Sequence, residues 1–271
     1  MIFDTHAHYD DEAFDLDREE LLTSLAAAGI GAVINIGASL STTANSVELA
    51  KKYPWIYATA GVHPHDVDEL TEDAMKWLSE VSRHEKVVAV GEIGLDYHYD
   101  DIDREQQKYW FERQLLLAQE VNKPVVIHTR DAAQDTLDMM RSDAAKGLGG
   151  IIHCFPFGAE LAREYLNMGY YLGIGGVVTF KNGKKTKEAV AYAPLERIVL
   201  ETDCPYLAPT PFRGKRNDST LLKLVISEIA RIKGVSEAEV ERVTWENALK
   251  VYQLGTMVNR EERTDYGKII L

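Results

Sequence analysis

Apolar and β-branched residues gather along this chain in short runs, and between them apolar residues recur at helical spacing. The short runs are 1–8 (MIFDTHAH), 31–38, 56–63, 87–94, 124–129, 149–155, 169–176 and 197–203. Segments 18–29, 71–84 and 104–122 carry the helical pattern. In the last of these, Trp110, Leu115, Leu117 and Val121 mark the face expected to pack on a sheet. Strand starts lie roughly 30 residues apart, the length of one βα unit. Eight such units predict an α/β fold, a single-domain (β/α)8 TIM barrel over residues 1–254. An open doubly wound sheet is the alternative, but it favours a Gly-rich first turn, and the first turn here reads HAHYDD. No linker or low-complexity run divides the chain. A polar tail of unassigned role, 255–271, follows the segment 246–254.

Composition narrows the class. A length of 271 residues suits one large α/β barrel, and 45% hydrophobic with 27% charged residues is ordinary for a soluble globular protein. No run of 18 apolar residues is present to span a membrane, and residue 1 opens directly into a strand pattern, not a signal peptide. The two cysteines cannot form a disulfide framework, so a reducing, cytoplasmic setting is expected. A net charge of −13 argues against broad coating of nucleic acid while leaving room for a local basic patch. Nothing points to an obligate protein partner.

Chemistry collects at the ends of the apolar runs. With 8 histidines, chance supplies about 0.2 His-x-His pairs, yet the chain has His6/His8 and His63/His65. Residues i and i+2 of a strand share a face, so both imidazoles of a pair can reach one ion. In a barrel the chemistry sits where strands end. There the chain offers His6 and His8, His63, Glu92, His128, His153 and Asp203. Singly, each has a bland explanation as a hydrogen-bonded core residue or a turn aspartate. Together they form a metal site by composition. Four histidines and two carboxylates are the right supply for two divalent ions sharing a carboxylate, and Glu92 is the natural bridge, flanked by glycines that let ions approach. His63 is assigned to substrate, and His65, beyond Pro64, is expected outside the cluster. Cys154 and Cys204 each follow a candidate ligand and are expected to point outward into the helix layer. Asp96 and His98 are expected on a loop above the ions, as substrate contacts.

These residues carry a resemblance. DTHAHYD, GVHPH, GEIGLDY, PVVIHTRDA, HCF and LETDCPYLAP resemble the TatD family of metal-dependent deoxyribonucleases, within the amidohydrolase superfamily, from residue 1 to about 254. The resemblance implies a TIM-barrel hydrolase with two divalent metals that cleaves phosphodiester bonds in DNA. It further implies that His6, His8 and Asp203 hold one ion, His128 and His153 the other, and that Glu92 serves both. The family often has proline where this chain has Ser219 in FRGKRNDST. Imidazole-rich ligation favours Zn²⁺, Mn²⁺ or Co²⁺ on softness, whereas the resemblance also admits Mg²⁺.

Charge placement points the same way. FKNGKKTK (180–187) and FRGKR (212–216) follow strands 7 and 8, so Lys181, Lys184, Lys185, Lys187, Arg213, Lys215 and Arg216 are expected to form a basic rim for DNA phosphates, with Arg213 and Lys215 as substrate contacts. Phe180 and Phe212 are candidates for stacking on unpaired bases. Asp203, with Glu92, is the expected catalytic carboxylate, orienting the attacking water or taking its proton. The competing activity is a C–N or ester hydrolase of the same superfamily, including deacylation of mis-charged tRNA. Cyclic-amide hydrolases of that superfamily usually bridge their metals with a modified lysine at the end of strand 4, where this chain has Glu92. A non-catalytic scaffold would lack ligands, and none is missing.

Overall fold

The computed structural model describes residues 1–99 and 102–255. Eight strands form one sheet in sequence order, every neighbouring pair parallel: β1 (Ile2–Ala7), β2 (Ile30–Asn35), β3 (Ile56–Ala60), β4 (Val87–Asp96), β5 (Val125–Arg130), β6 (Gly150–Ile152), β7 (Tyr171–Ile174) and β8 (Ile198–Leu200). The sheet comes round on itself where the segment after β8 meets β1. His8 N–H donates to Cys204 O at 2.9 Å and Asp203 N–H to His6 O at 2.9 Å. The result is the expected single-domain (β/α)8 barrel.

Helices alternate with the strands: α1 (Arg18–Ser24), α2 (Leu40–Lys52), α3 (Glu72–Ser82), α4 (Arg104–Val121), α5 (Ala133–Met140), α6 (Ala159–Asn167), α7 (Lys184–Tyr192) and α8 (Leu222–Lys233). A further helix, α9 (Glu237–Val251), follows. Ser39, Thr71, Asp103 and Ser236 cap four of them with side-chain acceptors, each worth about 1 kcal/mol. The buried face of α4 is Phe111, Leu115, Leu117 and Ala118, whereas Trp110 and Val121 are only partly covered. The expected stripe was therefore off-centre, because a bulky Trp tolerates the edge of a contact face. Residues 256–271, nearly all of the tail set apart in the sequence, lie outside the described residues.

The barrel's lumen is built in layers. One buried cluster takes a residue from every strand: Phe3, Ala32, Tyr57, Ala89, Val126, Ile151, Tyr171 and Val199. Trp245, Ala248 and Tyr252 from α9 and its end pack on this cluster, with the Phe3 and Trp245 rings 5.4 Å apart. The lower lumen is thus apolar and filled. Two residues further along, on the same face, come His128, His153 and Glu201. Strict alternation from Phe3 and Ala89 would deliver Thr5 and Gly91 to this level. Register shifts between Asp4 and Ala7 and between Val90 and Ile93 present His6 and Glu92 instead. Strand irregularity is what completes the polar layer.

Candidate metal centre

Several expected strands are shorter in the structure, so His8, His63, His153 and Asp203 stand just past strand ends while His6, Glu92 and His128 lie within strands. All seven nonetheless face one another or share a neighbour. The centre is Glu92, whose side chain is buried. Its Oε2 lies 3.3 Å from His6 Nε2 and 4.0 Å from His8 Nε2. Its Oε1 lies 2.8 Å from His128 Nδ1 and 3.8 Å from His153 Nε2. Each oxygen therefore addresses a different pair of imidazoles. Asp203 Oδ1 closes the first group, 3.4 Å from His8 Nε2 and 3.6 Å from both His6 and His153 Nε2. The His6 and His153 rings stack with centroids 3.4 Å apart, and the Nε2 atoms of His6 and His8 approach to 3.2 Å.

Charge follows from this crowding. Burial alone would raise the Glu92 carboxyl, but His153, His6 and His128 outweigh it and hold the group well below the usual carboxylate range. Asp203 is likewise raised by burial and lowered more by His153, His8 and His6, so it is ionised. Burial lowers His153, but Glu201, Glu92 and Asp203 carry it up to about 10. Burial and neighbouring His128 lower His63 to about 3. Two carboxylates kept ionised among converging imidazole nitrogens form a donor set that suits divalent transition cations. His6, His8 and Asp203 present one ligand atom each within 4.8 Å of one another, as do His63, Glu92 and His128. Against the expected partition, His63 stands as close to the Glu92 group as a ligand does, its ring centroid 4.3 Å from that of His128.

Supporting residues that sequence reading passed over hold this layer. Glu201 Oε1 lies 3.2 Å from His153 Nδ1 and accepts the Cys154 N–H at 2.6 Å, which orients the ring. Gly173 makes room for it, since a Cβ there would strike the Glu201 carboxylate. The i, i+2 relation of Glu201 to Asp203 was the available signal. Asp96 lies within β4, not on a loop, and its Oδ2 is 3.0 Å from His128 Nε2 and 3.3 Å from His65 Nε2. His65 thus stands beside Asp96 and His63 and not beside Glu92. His98 faces Asp131 at 2.8 Å on the exposed side.

Other expectations need correction. The glycine at 94 serves strand approach, not ion access: at φ 148° it lies where a Cβ would collide with the His128 carbonyl. Cys154 has φ 42°, which ends the strand alternation, and it sits beside the acidic groups. Burial, with Glu201, Asp203 and Glu92 nearby, pushes its thiol well above the ordinary value, so it is no nucleophile. Cys204 is buried.

The basic rim is thinner than expected. Arg216 is committed to Asp17 by two hydrogen bonds of 2.7 and 2.6 Å, and Lys187 pairs with Glu228 at 3.1 Å. Arg213 and Lys215 are exposed, as are Lys181, Lys184 and Lys185. Among the described residues, Arg213 has no carboxylate partner and rests on the Phe180 ring, 4.1 Å from its centroid. Phe180 is buried and so supports Arg213 instead of offering a free face to a base; Phe212 is exposed. Ser219, where proline was expected, is buried. Its N–H donates to Tyr9 Oη at 2.9 Å and its Oγ to Asp4 Oδ2 at 2.6 Å, which ties this loop to β1.

Comparison with known proteins supplies the family. Residues 3–253 match the model of the family described as TatD related DNase. The chain is 44% identical over 254 residues to the uncharacterized metal-dependent hydrolase YabD of Bacillus subtilis, covering 94% of this chain and all of that one. It is 33% identical to a protein of Cronobacter sakazakii named 3'-5' ssDNA/RNA exonuclease TatD, over 93% of this chain and 97% of the relative. Among solved structures, the TatD homologue YJJV of Escherichia coli superposes with a TM-score of 0.84 at 29% identity, covering 93% of this chain and 98% of that one. A family match over nearly the whole chain, joined to a barrel whose upper layer is ionised carboxylate and imidazole, shows that the protein belongs to the TatD family of metal-dependent hydrolases, enzymes acting on ester bonds.

Proposed function

We propose that the protein is a phosphodiesterase acting on DNA through a dinuclear divalent-metal centre, with residues 1–254 as the catalytic unit working in the cytoplasm. The observation that carries this reading is the orientation of Glu92, one carboxylate oxygen toward His6 and His8 and the other toward His128 and His153. In this reading His6, His8 and Asp203 would hold one ion, His128 and His153 the other, and Glu92 would serve both. Zn²⁺, Mn²⁺, Co²⁺ and Mg²⁺ are the candidate ions. Divalent ions bound there supply Lewis-acid polarisation of a phosphoryl oxygen and activate water at neutral pH.

The chain's own groups do the rest. Asp203, ionised and partly open to solvent, orients the attacking water and accepts its proton. Arg213, braced on Phe180, and Lys215 hold phosphates flanking the scissile one. The relative named an ssDNA/RNA exonuclease supports nucleic acid as the substrate class. No helix of the described residues is long and apolar enough to cross a membrane.

The test is to strip the purified protein with chelator and reload it with each metal. Single- and double-stranded labelled DNA, a small phosphodiester and a carboxylic ester are then offered in parallel. Metal-restored cleavage of DNA and of the small phosphodiester is expected. Turnover of the ester alone, with every metal, would replace this reading by the C–N or ester hydrolase alternative.

A further inference from the structure

Beside the centre lies a second group of donors to which the dinuclear reading assigns no ion. His63, His65 and Asp96 offer one ligand atom each within 4.8 Å of one another. His65 Nε2 is buried and 3.3 Å from Asp96 Oδ2, yet it makes no hydrogen bond. Two donors close together without a hydrogen bond between them is the relation of two ligands aimed at a common ion. The remaining valences are already used: Asp96 Oδ1 accepts the His98 N–H at 2.8 Å, and His63 Nδ1 accepts the His65 N–H at 3.2 Å. Asp96 Oδ2 meets His128 Nε2 at 3.0 Å on one side and faces His65 Nε2 on the other, so this carboxylate both braces His128 and addresses the second group.

The backbone under these residues is clamped. On α4, Gln107 and Gln114 are buried and lie seven residues apart, on one helix face. The Gln107 amide accepts the Asp96 N–H at 2.9 Å and donates to the Asp96 carbonyl at 2.9 Å. The Gln114 amide does the same for Val62, the residue before His63, at 2.8 and 3.0 Å. Buried amides of this kind are costly to desolvate unless fully satisfied, and here both ends of each are. Two matched clamps fix the two strand ends that bear the donors, as a preorganised ligand site requires.

We propose that His63, His65 and Asp96 form a further divalent-cation site, adjoining the Glu92 centre through His63 and the Asp96–His128 contact and opening toward solvent past Tyr99. Two imidazoles and one carboxylate with open positions suit Zn²⁺, Mn²⁺, Fe²⁺ or Co²⁺. His65 is about one-third exposed and the neighbouring Tyr99 is exposed, so an ion here keeps positions free for an anionic oxygen. On the phosphodiesterase reading, that oxygen belongs to a phosphate next to the scissile one.

Mn²⁺ and Zn²⁺ binding to the chelator-stripped protein, measured by mass spectrometric metal analysis and by anomalous diffraction, tests the site without reference to activity. Wild-type protein should hold three ions per chain at saturation. His65→Asn and His65→Leu should each hold two, with anomalous density retained beside Glu92 and absent beside Tyr99. Both variants are safe for folding, since that side chain lies at the rim. Two ions in wild type with the same two in both variants would overturn the site while leaving the dinuclear reading intact. Loss of density beside Glu92 with density retained beside Tyr99 would have the opposite meaning. As a second readout, the variants should raise KM for an oligonucleotide about 10-fold with kcat changed less. An unchanged KM would show that the ion does not contact substrate.

Discussion

Asp4 and Asp203 lie on opposite sides of one seam, where β1 closes against the segment after β8, and their carboxyls are driven in opposite directions. Both touch the His6 backbone: Asp203 through its N–H to the carbonyl, Asp4 by accepting the amide at 3.3 Å. Asp203 looks into the lumen, where imidazoles overcome burial and keep it ionised. Asp4 is the register partner of Val33, which belongs to the core between sheet and helices, and its partners are the hydroxyls of Thr202 (2.7 Å) and Ser219 (2.6 Å). Burial there raises its carboxyl to about 7 despite those hydrogen bonds. Burial is common to both. What separates the two carboxyls is whether their partners can carry positive charge.

The largest expected effect is at the inner face. Glu92→Gln keeps shape but removes the charge both imidazole pairs face, so turnover should fall by about 10³-fold or more at saturating metal. Retention of more than a tenth of wild-type kcat would break the contrast between the two faces. Asp203→Asn should lower kcat by roughly 10²–10⁴-fold, the scale of a general base. A KM effect alone would reassign Asp203 to substrate binding.

At the outer face the isosteric change should be mild. Asp4→Asn retains an acceptor for the Thr202 and His6 amides, so activity should stay within about threefold of wild type. Stability is the sharper readout. A carboxyl raised from 3.8 to about 7 on folding contributes fully below its unfolded value, and that contribution is lost as pH rises through 7. The stability of wild type relative to Asp4→Asn should therefore decline between pH 4 and 7, by a few kcal/mol at most, in denaturant unfolding of matched samples. A difference flat in pH would mean that Asp4 is ionised throughout.

The fold and most of the inner face could be read from the sequence, because both rest on period-two alternation in short apolar runs. His6, His8, Glu92, His128, His153 and Asp203 were all singled out, and the structure brings them together around Glu92. Reading only the last polar residue of each run hid Glu201, two positions before Asp203. Asp4 and the clamps of Gln107 and Gln114 were not legible, since their partners are residues remote in sequence that alternation cannot identify. Loop pairing was hidden for the same reason. Arg216 reads as a free cation until Asp17 is seen beside it.

The smallest effect belongs to that rim. Arg213→Glu with Lys215→Glu should weaken DNA binding about 10-fold at low salt and reduce the salt slope by roughly 2. Small-phosphodiester turnover should change less than threefold. Equal loss on both substrates would place these residues in the reaction itself or reveal a folding defect.

The central claim, that one carboxylate serves two ions, is tested most directly by metal analysis of wild type, Glu92→Gln and His128→Ala purified side by side. Glu92→Gln should hold two fewer ions per chain than wild type and His128→Ala one fewer. A Glu92→Gln protein holding the wild-type number, with near-normal turnover, would contradict the account.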